Sequence, residues 1–486
     1  MQKVHVAVVG AGMGGLCAAI KLQQAGVDSM VILEQSKEVG GTWRDNAYPG
    51  CACDVPSHLY SFSFEPNTEW TRPYPQQPEI QDYILRVTGK YGLRSKIRFN
   101  TEVLAMRWSS DLQAWRIEIA DQADVLATHV ILATGPLSKP LIPRLPGVGS
   151  FKGDSFHSSQ WRHDIDLTGK RVTIIGTGAS AVQFGPEVAR VASQVQVFQR
   201  TAAWVLPRWD KPYGAVRRWL YRSVPGLQLL SRWRVYWFNE TVGLGFLGAR
   251  WMQGLLKRLA LHHLRSQVVG APMQAALTPN FNPGCKRLLI SNAWFPMLQG
   301  PNATLITQPV AAVQAHSVCT QDGQEYPCDV IIWGTGFKAS EFVAPMLVYG
   351  EAVEGHVPEL SQRWRQGPAA TRLGITVAGF PNLFLIAGPS TGLGHNSLVF
   401  MIECQVHYIT QAIRFARAKG TGPLKLRYDV QARDYADIQY KMKRTVWSSG
   451  CHSWYQNDQG GIDTLWPSFT WKYWWQTRRF RAADYH

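Results

Sequence analysis

Nowhere in the 486 residues is there an apolar run of ~18 residues free of charge, the least that a membrane-crossing helix needs, so no transmembrane span is expected. The chain opens VHVAVVGAGMGG after its first three residues, and this apolar start breaks into glycines without a small-residue cleavage site, which argues against a secretory signal. Cysteine is sparse: eight residues, at 17, 51, 53, 285, 319, 328, 404 and 451. Only Cys51 and Cys53 lie close together, and C-x-C is neither the C-x-x-C of a dithiol reductase nor a zinc pair. A dithiol reductase is thereby excluded, no metal site is expected, and reduced thiols in a cytoplasmic protein are. Acidic residues are also few, 34 against 50 Lys and Arg, for a net charge of +16. That excess is not gathered into a basic tract, and no nucleic-acid module is recognisable, so nucleic acid is not an expected partner. A polyanionic cofactor or a membrane surface is the better use for it. An apolar fraction of 45% with 17% charged residues is ordinary for a globular protein. The length suffices for two or three domains.

What the chain has is glycine in informative places. VHVAVV reads as a buried strand, GAGMGG follows, and then a small-residue helix, LCAAIKLQQAG. Gly10, Gly12 and Gly15 thus fit G-x-G-x-x-G between a strand and a helix N-terminus, where the backbone can approach a pyrophosphate. The next strand, MVILE, ends in Glu34, positioned to accept hydrogen bonds from a ribose 2′-hydroxyl. The pattern returns in RVTII followed by GTGASA, with Gly176, Gly178 and Ala181. Here the following strand, VQVFQR, ends in Arg200 and is followed by Thr201. A carboxylate there would repel a 2′-phosphate, whereas a guanidinium can grip one with two hydrogen bonds. The first site therefore suits FAD and the second NADPH. VILATGPLS and DVIIWGTGF read as the strand–glycine turns that close such domains. FLIAGPSTGLGHNS, with Gly388, Gly392 and Asn396, leads into an apolar helix whose N-terminus can face a flavin.

Between the two signatures lies FKGDSFHSSQW. Two dinucleotide folds flanking F-x-G-x-x-x-H-x-x-x-W resemble a type I Baeyer–Villiger monooxygenase, with Phe151, Gly153, His157 and Trp161 at the fingerprint positions. Trp161 is followed by Arg162, where the family usually has Pro or Asp, a small departure. The related N- and S-oxygenases carry Phe or Tyr at the position of Trp161. The resemblance covers nearly the whole chain and implies an FAD- and NADPH-dependent enzyme. Through a flavin C4a-peroxide, such an enzyme inserts one oxygen atom of O2 beside a ketone carbonyl, giving an ester or lactone. It further implies that His157 is a hinge contact between domains. GGTWRDNAYPGCACDVPSHLYSFSF matches the segment over the flavin, which places Gly41, Thr42 and Trp43 at the cofactor and Asp54 among the active-site groups. GCKRLLISNAWFP supplies Arg287 as the active-site arginine and Lys286 as a second phosphate contact, and TVWSSGCHSWY supplies Trp454 in the segment that closes over NADP.

A fixed cation at Arg287 favours an anionic oxygen nucleophile and the negative tetrahedral adduct, and Asp54 would hold it in place. Two other readings of these residues stay open: Asp54 as a loop cap beside Pro56, and Arg287 as a second phosphate ligand beside Lys286. Two alternative functions also remain, N- or S-oxygenation on the same scaffold and an NADPH oxidase or redox sensor that oxygenates nothing. Residues 205–265 interleave Trp, Tyr and Leu with Arg and Lys, as does the tail LWPSFTWKYWWQTRRF. This pattern reads as a helical insertion lining the entrance for an apolar ketone, with peripheral contact at the inner face of a membrane as the sharper possibility. The expected fold is α/β: two Rossmann-like dinucleotide-binding domains, for FAD and NADP, with a helical insertion in the NADP domain. The expected division is 1–140 for the first part of the FAD domain and 141–165 for the linker with the fingerprint. The NADP domain takes 166–204 and 271–340, the insertion 205–270, and the rest of the FAD domain with the closing segment 341–486.

Overall fold

A computed structural model describes every residue except Thr421, His452, Trp454, Asp458 and Gln459. Its first sheet grows from the N-terminal strand Gln2–Val9, whose second half, Val6 to Val9, is buried on both faces. Such a strand can lie only in the middle of a covered parallel sheet. It pairs in parallel with Met30–Leu33 on one side and Val125–Leu132 on the other. The helix Met13–Gln24 crosses between the first two, completing the expected βαβ unit. Val103–Ser109, Ala114–Ile119 and Val125–Leu132 form an antiparallel meander within the same sheet. Leu383–Leu385 returns from far along the chain to pair in parallel with Val125–Leu132.

The second sheet has five strands, all parallel, in the order Ala303–Ile306, Gln194–Phe198, Arg171–Ile175, Val330–Trp333, Asp154–His157. It is a second doubly wound unit, and the expected α/β class with two Rossmann-like domains is observed. The fingerprint stretch supplies its edge strand, with His157 opposite Trp333 in register. The expected helical insertion is present as Ala215–Ser223, Leu227–Phe246, Arg250–Gln267 and Ala271–Leu277.

The chain passes between the two sheets along two adjacent strips. Pro140 forms an antiparallel bridge with Phe337. Leu141 N–H donates to Gly336 O at 2.9 Å, and Lys338 N–H to Lys139 O at 3.0 Å. The units also meet through the loop that carries Tyr48 to Ala52. Tyr48 donates its hydroxyl to Gln183 Oε1 at 3.0 Å, and Gln183 Nε2 donates to Ala52 O at 2.9 Å. Trp161 packs its ring against both Tyr48 and Phe184, with centroids 6.4 and 5.4 Å away.

Gly50 sits at the point of closest approach. Its φ is +77°, and a Cβ there would stand 2.7 Å from Gln183 O. Gly50→Ala should therefore cost about 1–3 kcal/mol through left-handed strain and the clash, read as a fall in Tm. It should also raise the NADPH KM, because the loop and the Ala179–Ala189 helix are pushed apart.

Candidate functional site

Each glycine of the first signature is fixed by a different contact. Gly10 has φ +103° and would place a Cβ 2.6 Å from Ala133 O, whereas a Cβ on Gly15 would meet Gly10 O at 1.9 Å. Gly12 instead faces Gly41 across a narrow backbone gap, with a Cβ-to-Cα distance of 3.7 Å. Tight turn, ligand approach and helix-on-strand packing are the three roles such glycines serve, and the cradle fits a dinucleotide pyrophosphate. Glu34 follows the second strand and is buried. It accepts from Ala11 N–H at 2.7 Å, Ser36 N–H at 3.0 Å and Arg44 Nη1 at 3.0 Å. Gly41 and Thr42 open a short helix against Gly12, and Trp43 donates its indole N–H to Tyr60 Oη at 2.9 Å.

The second signature repeats the geometry: Gly176 has φ +110°, a Cβ there would stand 2.4 Å from Gly334 O, and Ala181 is fully buried. Beside it opens a cavity of about 940 Å³, lined by Arg200, Thr201, Lys286 and Ser449–Cys451 among others. Two cations line it, and none of the described lining residues is a carboxylate. Burial first, then the neighbouring Arg200 charge, holds Lys286 below the ordinary lysine value. Such a pair of unneutralised cations is the donor set a 2′-phosphate requires. The NADP site therefore fits the residues present.

An ion pair links the loop after the first cradle to the segment after the helical insertion. Arg287 donates to Asp54 through Nε at 2.8 Å and Nη2 at 2.7 Å, a bidentate contact across 233 residues of sequence. The Asp54 carboxylate raises Arg287 above the usual arginine value, so the guanidinium keeps its charge. Asp54 thus does more than cap its loop. Tyr455 also interacts with Arg287, and burial pushes its phenol up to about 12. Tyr60, half-buried, feels both members of the pair.

His157 is fully buried, with Nδ1 accepting from Ser159 N–H at 3.2 Å and facing Ser159 Oγ at 2.9 Å. Burial holds its imidazole below the ordinary histidine value. Its ring meets Phe337 edge-on at 5.3 Å, on one of the two connecting strips. Gly153 admits no side chain, since a Cβ would stand 2.2 Å from Asp329 O, and the Phe151 ring covers it. Arg162 pairs with Asp164 at the surface, away from the Trp161 packing, so the departure from the fingerprint leaves the contact intact.

Gly388 and Gly392 are close-packed against Gly374 O and Thr464 O. Asn396 spends its side chain on Glu240, at 2.6 Å, and on Thr470, which leaves its backbone for any cofactor. Trp454 lies outside the described residues.

The expectation of reduced thiols fails at one pair. Cys285 and Cys451 form a disulfide across 166 residues, with Cα atoms 6.2 Å apart. Spacing along the chain gives no sign of such proximity; it arises because the segment after Met442 folds back over the Lys286–Arg287 segment. Tyr60, Gln183 and Tyr455 were likewise not singled out from sequence. Tyr455 adjoins Trp454 in a matched segment, and that was the available signal.

Two glycine cradles, a cleft lined by two cations and an arginine fixed by a carboxylate fit a flavin-binding monooxygenase, and the family model for flavin-binding monooxygenase-like proteins matches residues 3–219. The chain belongs to the Baeyer–Villiger monooxygenases. It is 43% identical to a Baeyer–Villiger monooxygenase of Pseudomonas aeruginosa over 99% of this chain and 91% of that one. One from Streptomyces coelicolor is 40% identical over 100% of this chain and 92% of its own. Among solved structures, OTEMO in complex with FAD and NADP superposes with TM-score 0.86 at 27% identity, covering 98% of this chain and 97% of that one. Steroid monooxygenase bound to NADP gives the same score, identity and coverage.

Removing either cation should weaken NADPH selectively. Arg200→Ala or Lys286→Ala is expected to raise the NADPH KM about 10- to 100-fold, the worth of one charge-assisted hydrogen bond, with kcat little changed and NADH turnover unaffected. Cys451→Ser, or reduction by a dithiol, should loosen the segment around 449–451 from Lys286. The expected readouts are faster NADP+ dissociation in stopped flow and a Tm lower by the equivalent of about 2–4 kcal/mol.

Proposed function

We propose that the protein oxygenates an apolar ketone to an ester or lactone, using FAD, NADPH and O2, and that Asp54 and Arg287 are its central site pair. The observation that carries this reading is a guanidinium held rigidly by two hydrogen bonds to one carboxylate, beside Tyr455 and near the Trp43–Tyr60 pair. Gly10, Gly12, Gly15, Glu34, Gly41, Thr42, Trp43, Gly388, Gly392 and the backbone of Asn396 would hold FAD. Gly176, Gly178, Ala181, Arg200, Thr201 and Lys286 would hold NADPH. FAD held there would, once reduced by NADPH, supply the activated oxygen for the reaction.

The residues of the chain then do three things. Arg287 offers a permanent positive charge to the oxygen that gains negative charge when the carbonyl is attacked, and it needs no reorganisation to do so. Because arginine does not release its proton here, it favours the nucleophilic, anionic form of the attacking oxygen over the protonated form that would attack sulfur or nitrogen. Asp54 fixes the direction of the guanidinium while leaving Nη1 uncommitted to it. Aromatic side chains beside the pair, with the segment tied down by Cys451, would limit the access of water that discharges the activated oxygen. Phe151, Gly153, His157 and Trp161 would act at a distance, transmitting movement of the connecting strips to the nicotinamide position.

Arg287→Ala should lower ester or lactone formation by about 10²–10³-fold, the usual loss of an oxyanion donor, while NADPH oxidation continues and ends in H2O2. Product mass and H2O2 are measured together with linear, aryl, cyclic and steroidal ketones and one thioether. Sulfoxide as the sole product of the unaltered enzyme would overturn the assignment of Arg287.

A further inference from the structure

The insertion carries more exposed aromatic surface than the site uses. On the helix Leu227–Phe246, Leu229, Leu230, Trp233, Trp237 and Phe238 are 50–66% exposed. Their spacing puts them on one side of the helix, over a length of about 14 Å. The opposite side is anchored: Arg232 donates to His58 O and Ser61 O, and Tyr236 meets Thr470 Oγ1 at 2.9 Å. Thr470 begins the C-terminal helix Thr470–Thr477, whose Trp471, Trp474 and Trp475 are 42–56% exposed. Trp237 packs on Tyr236 at 5.4 Å, and the Tyr236–Thr470 contact sets the two aromatic helices next to each other.

We infer that this surface docks on an anionic lipid bilayer. Residues 205–270 hold eleven Lys and Arg against two Asp and Glu, so more than half of the chain's excess of +16 lies in this insertion. One of those two acids, Glu240, is buried and committed to Asn396 and Thr470. Arg234 is exposed on the apolar side of its helix, and no carboxylate pairs with it among the described residues. On the second helix Lys472 lies 5.4 Å over the Trp471 ring and Arg478 lies 3.3 Å over Trp475. Although Arg208 pairs with Asp210 and Arg222 with Glu69, the surplus of cations beside exposed indoles matches the interfacial zone of a membrane with negative headgroups. A second copy of the chain is a poorer occupant, because a two-fold contact would set this basic face against itself. Helices this short in apolar run cannot cross a bilayer, and among the described residues none is long and apolar enough to do so. Docking is therefore peripheral. The inference is independent of the ketone chemistry, since it concerns binding alone.

Flotation of the FAD-loaded full-length protein tests it, with vesicles of phosphatidylcholine alone and of phosphatidylcholine with phosphatidylglycerol in equal parts. Recovery with the anionic vesicles should exceed that with the neutral ones about tenfold, and should fall as salt is raised. The triple variant Trp233→Ser, Trp237→Ser, Trp474→Ser should lose most of this binding, and Arg234→Glu with Lys472→Glu should lose its anionic preference. FAD content and substrate-free NADPH oxidation should stay unchanged in both. No flotation, or equal recovery with both vesicles, overturns the inference. So does a dimer in sedimentation velocity that the triple variant abolishes, which would make the face a protein interface.

Discussion

The site depends on one charge held in one direction. An arginine side chain has many rotamers, and a cation in a partly buried cleft is costly unless a partner meets it. Asp54 supplies both needs at once, since a bidentate carboxylate meets the buried charge and fixes the plane of the guanidinium. The two residues belong to different halves of the fold. Asp54 stands in the loop after the first glycine cradle, and Arg287 in the segment returning from the helical insertion. The pair therefore forms only when those halves are seated against each other, which makes the reactive geometry a measure of domain closure. Gly50, Gln183 and Trp161 serve that seating through direct contacts of their own between the two halves.

Much of this was legible in the sequence because some constraints are local. A positive φ at Gly10 or Gly176, and a helix packed too close to its strand for any Cβ at Gly15, leave their mark within a dozen residues. Glu34 and Arg200 could be read for the same reason, each lying at the end of the strand that follows its signature. Arg287 and Asp54 could not be paired by any local rule; resemblance placed them in the site, and only the fold brings them together. Tyr60, Gln183 and Tyr455 carry no motif, and their roles come from burial beside a charge or across a domain boundary. The Cys285–Cys451 pair was misjudged because a separation of 166 residues conceals a fold-back. Asn396 shows another limit of motif reading: its amide turns towards the buried Glu240.

The helical insertion illustrates how one element can serve two surfaces. The inner side of Leu227–Phe246 is tied to the flavin half through Arg232, Tyr236 and Glu240, so the helix cannot drift without disturbing the Asn396 segment. Rigid seating on one side is what allows an aromatic face on the other to remain exposed without collapsing onto the core.

The bridge between Pro140 and Phe337 sets the two ends of the second nucleotide unit side by side. Topologically, nearly two hundred residues are a single loop let into the flavin half, entering and leaving through one doorway. A unit inserted in this way can be removed, replaced or exchanged without rethreading its host, because the gap left behind is no wider than one strand pair. Arg287 travels with that inserted unit while its partner Asp54 stays in the host, so an exchange that altered nucleotide preference would also carry half of the reactive pair with it.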